Sequence, residues 1–551
     1  MTDPRTQIRQ YASQLAEGQR PIEAAEAMSR RGAVRELPEP RRIQEHGRRL
    51  APRWAYAVAS LVVAVSVGAA LVWLMGSSGD QEPAGPSTTT PVSTIPSTVA
   101  TTEANPSTVA TTEATATTTT IATTTTQAAL PAPAVLGTTH YGGRGFDYAV
   151  GVAAAPGGGS VAAIDFRSSN EGDLVVAKFS PDGELTWSTA WSTTREDAPM
   201  RGAIATDASG AAYVGVAMFD LERVNHELAL LKFDAGGELL WQRASIGVDG
   251  GQRPHVVAVG SDGSVFVAGH HDLGIPGDPE HVFMMNVAPD GQLLWQRLLV
   301  GEGMVSGTAF AGTVDPSGNV VLAGAVGDYA DEVDALIVKL DPAGDILWQR
   351  SWGVPGAPDR AWNVVTDPDG DIYVSGPVFG VGDGGDQTFV VKIDSEGALL
   401  WARIWQIPGN ELWAHGAAFG DGILVVSGFV GRVDADGLRM DKSSSLLGVS
   451  PDGELLWQAA IGARPLESIE SLAFTDDGTL VAAGQAERAE LNVVALDGEW
   501  LVSDLPLAAT SLTAVDLDLP WGEGDGEITA PEGAVGGGSG ADAVVMRLEL
   551  P

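Results

Sequence analysis

DALIVKLDPAGDILWQRSWG, residues 334–353, carries the information that decides the fold. ALIVKL is a short apolar run rich in β-branched residues, the composition of a strand buried on both faces. DPAG is turn chemistry: Asp bonds nearby backbone amides, and Gly accepts positive φ. DILWQR then resumes the strand, so the stretch reads as one β-hairpin. A second copy, ELALLKFDAGGELLWQRASIG, occupies residues 227–247.

Working outward, the Trp of this stretch belongs to a series: Trp187, Trp241, Trp295, Trp348, Trp401 and Trp457, with gaps of 54, 54, 53, 53 and 56 residues. Gly183, Gly237, Gly291, Gly344, Gly397 and Gly453 each precede one of them by four residues. A period of this length marks a structural repeat. About thirty residues upstream in each unit lies another hairpin, as in VVAVGSDGSVFVAG (256–269), VVTDPDGDIYVSG (364–376) and LAFTDDGTLVAAG (472–484). Two hairpins per repeat give four antiparallel strands. A radial array of such units is a β-propeller, which hides sheet edges by repetition. The repeated Trp is expected to fill the space between blades.

Counting hairpins, including starts near 490 and 510, predicts an eight-bladed propeller over 134–551, with seven blades as the alternative because 509–541 match the repeat poorly. The lone C-terminal strand DAVVMRLEL (542–550) lacks an outer partner, and AVLGTTHYGG (134–143) resembles one. Closure by the N-terminal strand is therefore expected.

The repeat resembles the bacterial seven-bladed propeller repeat family SBBP and, more distantly, the repeats of pyrroloquinoline-quinone-like propellers. The first resemblance implies an exported or surface-associated protein without defined biochemistry. The second would imply an alcohol or sugar dehydrogenase. The cysteine pair of many quinone enzymes cannot exist in a chain without cysteine, and no clear Glu, Asn and Asp set for a calcium-bound quinone is legible.

Composition narrows the partners. Lys plus Arg number 32 against 71 Asp plus Glu, a formal net charge of −39. That excludes a general nucleic-acid surface, which needs clustered positive charge. The absence of cysteine excludes disulfides, thiol catalysis and Cys-ligated metals. Residues 1–53 are the exception to the acidity, with 11 Arg against 7 acidic residues. WAYAVASLVVAVSVGAALVWLM (54–75) follows. Its 22 residues span about 33 Å as a helix, enough for a bilayer core. The Arg-rich flank puts the N-terminus in the cytoplasm by the positive-inside rule. Residues 76–133 are a Thr/Ser/Pro/Ala-rich stalk, expected to be disordered, with PSTVATTEA twice. The expected protein is a single-pass protein of a bacterial plasma membrane, with a monomeric extracytoplasmic propeller that binds a cell-surface protein or glycan. The alternatives are an extracytoplasmic enzyme (a quinone- or metal-dependent oxidoreductase, or a glycan hydrolase) and the ectodomain of a transmembrane sensor.

Binding is expected on the face that carries the long connections between hairpins, since function on rigid scaffolds concentrates in loops. There, Trp352, Trp362, Trp405 and Trp413 with Arg360 and Asn410 form the candidate ligand set, because aromatic rings beside polar groups stack on sugars or anchor peptides. The candidate metal set is His270, Asp272 and His281, and separately Asp516, Asp518 and Asp525, with calcium the suggested ion for the second. The DPDGD turn (367–371) offers further carboxylates, although every repeat has a structural reason for Asp there. No nucleophile elbow, P-loop or zinc helix is present, so no catalytic residue is nominated.

Overall fold

Strands account for nearly every regular element of the computed structural model, which describes residues 122–123 and, with short breaks, 131–551. Residues 1–53, expected to be cytoplasmic, the 54–75 segment expected to span the membrane and nearly all of the expected 76–133 stalk lie outside the described residues. No helix among the described residues is long and apolar enough to cross a membrane.

Each repeat folds as the sequence suggests, into a four-strand antiparallel meander. In the 306–352 unit the strands are Ser306–Val314, Val320–Asp328, Glu332–Leu340 and Ile346–Trp352, paired in sequence order. The hairpin turns close as read: Gly344, at φ 82°, donates its N–H to the Asp341 carbonyl (2.9 Å). The middle strands are sequestered on both faces, as in Gly159–Phe166 and His281–Val287. The apolar cores lie between neighbouring meanders. One unites Val321, Ile337, Val374, Phe389 and Val391 across two units. Another joins Val481 and Val545 of the last meander to Ile164 and Phe179 of the first. Each fully buried Val, Ile or Phe contributes about 1.5–3 kcal/mol, so blade-to-blade packing is the main cohesive force of this β-propeller.

The sheets are not the eight separate blades that the hairpin count predicts. Five blades stand as separate sheets of five or six strands. The tenfold-stranded remainder is a double sheet, in which the 196–245 and 251–301 meanders are bridged by one parallel pair, Gly251 with His226. The hairpins expected near 490, as the second half of the seventh unit, and near 510, as the first of an eighth, do not form. Residues 490–541 run instead around the outside as a belt that adds a short fifth strand to each sheet edge in reverse order. Val493–Ala495 pairs Leu455–Ile461, Glu499–Ser503 pairs Leu399–Gln406, and Ala508–Ala509 pairs Ile346–Trp352. Leu512–Asp516, Gly522–Glu523 and Glu527–Thr529 pair the outer strands ending at 301, 245 and 192. Ala534–Val535 then pairs Ala134–Gly142. That last sheet has the order Ser468–Phe474, Leu480–Ala486, Asp542–Glu549, Ala134–Gly142.

The belt explains the Gln of the repeated LWQR. Gln242, Gln296, Gln349 and Gln458 donate side-chain N–H to the carbonyls of Gly526, Leu519, Leu512 and Gly498 at 2.8–3.0 Å. Gln349 and Gln458 also accept the amides of Leu512 and Gly498. A side-chain amide here substitutes for a missing stretch of ladder.

Candidate functional site

Six innermost strands carry a register shift in their first pairing, and most of the residues left out of the pairing there meet one another. The register shifts fall at Val150, at 200–203, and at His255, Phe310, His415 and Glu470. Trp362 stands at the corresponding place just before Asn363–Thr366, its amide bonded to the Ser375 carbonyl (2.9 Å). A bulge leaves one side chain unpaired and re-aims it. Because the strands are arranged radially, the bulges deliver their side chains to one centre.

There Arg201 bridges distant meanders. Its guanidinium lies 4.8 Å from the Trp362 ring centroid and 3.7 Å from the Glu470 carboxylate. His415 Nδ1 is 3.2 Å from Glu470 Oε2. Trp362 also contacts His415 and Phe310 (centroids 5.6 and 6.3 Å), and Phe310 contacts His255 (6.0 Å). Burial works to raise the Glu470 carboxyl, but His415 and Arg201 outweigh it and hold the group ionised down to about 2. His255, faced by His270, Arg201 and Arg253, is kept neutral, chiefly by burial. The ring members are half-buried.

Beside this ring stands an aromatic group. Trp413 lies 5.4 Å from Trp362, 5.5 Å from Phe379 and 5.1 Å from Phe429, and its indole N–H donates to Asp386 Oδ2 (2.7 Å). The Arg360 guanidinium sits 5.4 Å over Phe379. Three members of the candidate ligand set, Trp362, Trp413 and Arg360, are thus brought together.

The other three are not. Trp352 and Trp405 are 1% and 2% exposed and pack in the blades, Trp352 at 4.6 Å from Phe389 and Trp405 with its N–H on Gln458 (2.7 Å). They are core residues, corrected from ligand candidates: the outer strand turns them inward against the next blade. Trp191 makes the matching bond to Gln242 (2.8 Å). Asn410 sits in a tight turn and bonds the Pro408 carbonyl (3.2 Å).

Nor do the metal candidates converge. His270 and His281 are buried; His270 faces His255 (3.3 Å), while Asp272 pairs with His226 (3.2 Å). Asp516 and Asp525 ion-pair Arg297 and Arg195 on separate blades (3.3 and 2.6 Å), which fastens the belt, and Asp518 lies outside the described residues. Among the described residues no group of three His, Asp or Glu is disposed to hold a metal ion. Asp367 of the DPDGD turn caps its own backbone at Asp369 and Asp371 and accepts from Tyr373. Two surface recesses lie along the belt, beside Trp348 and Leu512 and beside Arg243 and Trp521.

Arg201, Phe310, His415 and Glu470 escaped the sequence reading. A signal existed: a large or charged residue stands at a like phase of several first hairpins, in some beside small ones, as in Ala309-Phe310-Ala311 and Ala414-His415-Gly416.

No family model and no curated protein matches the chain. Among solved structures, a Trypanosoma rangeli sialidase in complex with sialic acid aligns at 12% identity over 64% of this chain and 59% of its own, with a TM-score of 0.36. The chain thus spans somewhat over half the length of that sialidase. Drosophila Semaphorin 1b, extracellular domains 1-2, aligns at 9% identity over 68% and 87% (TM-score 0.33). A Xanthomonas campestris gluconolactonase aligns at 14% over 68% and 96% (TM-score 0.26). At these scores the similarities assign no activity to this chain.

Proposed function

We propose that this chain is a membrane-anchored, extracytoplasmic propeller that binds a neutral glycan, or a protein segment carrying a cationic group, at the mouth of its axial opening. The observation that carries the reading is the convergence of Arg201, Trp362, His415 and Glu470, one from each of four blades, beside Trp413 and Phe379. Aromatic faces take the apolar faces of sugars or side chains, and fixed polar groups set orientation. Glu470 stays ionised at all physiological pH values, which suits a hydrogen-bond or charge acceptor better than a proton donor. The net charge of −39 favours neutral or cationic ligands over polyanions. Anchoring is supported by the apolar 54–75 segment and its Arg-rich flank, and export by the resemblance of the repeat.

The test is a neutral-glycan and membrane-protein binding screen with the full chain in detergent. Trp362→Ala and Trp413→Ala should each weaken the ligand found at least tenfold, with Trp352→Phe unchanged. A ligand indifferent to both axial substitutions would refute the site. Protease treatment of intact cells that spared the propeller would refute the topology.

A further inference from the structure

The belt has a regularity of its own. Arg403, Arg350, Arg297 and Arg243 end the LWAR or LWQR of four consecutive blades, and their belt partners are Val502, Ala509, Asp516 and Glu523, seven residues apart each time. The belt carbonyls that accept Gln side chains, those of Gly498, Leu512, Leu519 and Gly526, keep to the same period. One seven-residue unit of belt therefore serves one blade, and its positions can be compared from blade to blade.

Two residues before each arginine's partner stand Trp500, Leu507, Ala514 and Trp521. The two tryptophans make the same contact. Trp500 donates its indole N–H to the Gly453 carbonyl (3.0 Å) and Trp521 to the Gly291 carbonyl (3.1 Å), each glycine lying in a turn of the neighbouring blade. Arg403 Nε reaches the Gly453 carbonyl as well (3.1 Å), so both lone pairs of that oxygen are used.

The junction at Leu507 has all of this except the indole. Arg350 Nε donates to the Gly397 carbonyl (3.0 Å), as Arg403 does to Gly453. Leu507 has no donor to add, and among the described residues no second one reaches this carbonyl. Beside it lies the recess lined by Leu347, Trp348, Arg350, Ser395, Glu396 and Thr510, with Leu347 52% exposed. The recess is continuous with the belt interface, because Gln349 and Leu512, bonded to each other, close one end of it. At Ala514 the corresponding arginine is turned elsewhere, Arg297 pairing with Asp345 and Asp516.

We propose that the recess beside Gly397 docks an aromatic side chain bearing an N–H, a tryptophan carried on an extended segment of a partner polypeptide. Its indole would take the place that Trp500 and Trp521 take at their own junctions, with the N–H on the free lone pair of the Gly397 carbonyl. An indole combines a large apolar area with a single donor, which makes tryptophan a common anchor at interfaces. The site lies at the outer edge of the blades and is independent of the axial reading.

The probe is N-acetyl-fluorotryptophanamide, followed by fluorine NMR against the full chain in detergent. Saturable binding is expected, at least tenfold weaker for the analogue methylated on the indole nitrogen. Leu507→Trp should abolish it and raise Tm, because the belt then fills the recess itself, whereas Leu507→Val should leave it intact. Should Leu507→Trp fail to fold, Leu347→Ser decides, since it must weaken the probe several-fold. Absence of saturable binding overturns the proposal, as does equal affinity for the methylated probe or binding that these recess variants leave unchanged. A wild-type dimer that Leu507→Trp dissociates would make the occupant a second copy and overturn the separate partner.

Discussion

The indole of Trp348 lies across Gly397 of the next blade and donates its N–H to the Ser395 carbonyl at 3.0 Å. Trp187, Trp241, Trp295 and Trp401 dock in the same way on Gly237, Gly291, Gly344 and Gly453, each with its N–H on the turn carbonyl two residues before that glycine. The Gly and Trp four residues apart in sequence therefore serve different interfaces: the Gly receives the previous blade's Trp. Trp457 has no following turn to reach, since the last blade's outer strands belong to opposite ends of the chain, and it is buried against Gly448 instead.

Substituting Gly397→Ala should cost about 2–4 kcal/mol, combining a positive-φ penalty with overpacking against Trp348. Gly318 has nearly the same φ (86°) but nothing within 4 Å of a built Cβ. Gly318→Ala should cost only the backbone part, about 1–2 kcal/mol. Equal losses in chemical denaturation would mean the docked ring contributes nothing.

Gln349→Leu removes three bonds to the belt, to Leu512 N–H, Leu512 C=O and Thr510 Oγ1. The expected loss is about 1–3 kcal/mol, because belt polar groups lose partners. Amide exchange should accelerate at 510–514 and stay slow in Glu332–Leu340. Uniform acceleration would show that the belt does not open independently.

Asp516→Asn breaks a contact with Arg297 in which Asp516 is 92% exposed. An exposed pair contributes about 0–1 kcal/mol, so the melting curve should barely move. A loss well beyond that range would show that the belt depends on this contact.

Acidification should destabilise the fold through its buried histidines. Burial first, with neighbouring charges, lowers His270 to about 3, and burial lowers His271 and His281 to about 4. An unfolded histidine titrates near ~6.5. Between ~6.5 and 4 the unfolded chain binds more protons, so this contribution is intact above ~6.5 and lost as pH falls. Asp359, raised to about 8 by burial and by the neighbouring Asp334, acts with the opposite sign. The informative measurement is therefore the Tm difference between the wild-type chain and His281→Gln, which should shift in favour of the variant from pH 7.5 to 4.5. A pH-independent difference would argue against a buried neutral His281.

Local chemistry was legible where strand, turn and spacing agree, as at 334–353. The blade count failed because the 490–541 segment was matched to hairpins it does not form. Its strands are two to five residues long and gain their order from Gln side chains and arginines on other blades. Trp352 and Trp405 were misread for a related reason, since proximity in sequence to a long connection says nothing about the face a strand turns inward.

The amino-acid sequence by itself determined the all-β repeat, its four-strand unit and its turn chemistry, because these depend on neighbours within a few residues. Only the tertiary structure decided which blade each Trp docks on, where the belt runs, and that Arg201, Trp362, His415 and Glu470 meet. A single extra residue reverses the alternation of a strand, and radial assembly then converts those local reversals into one common centre.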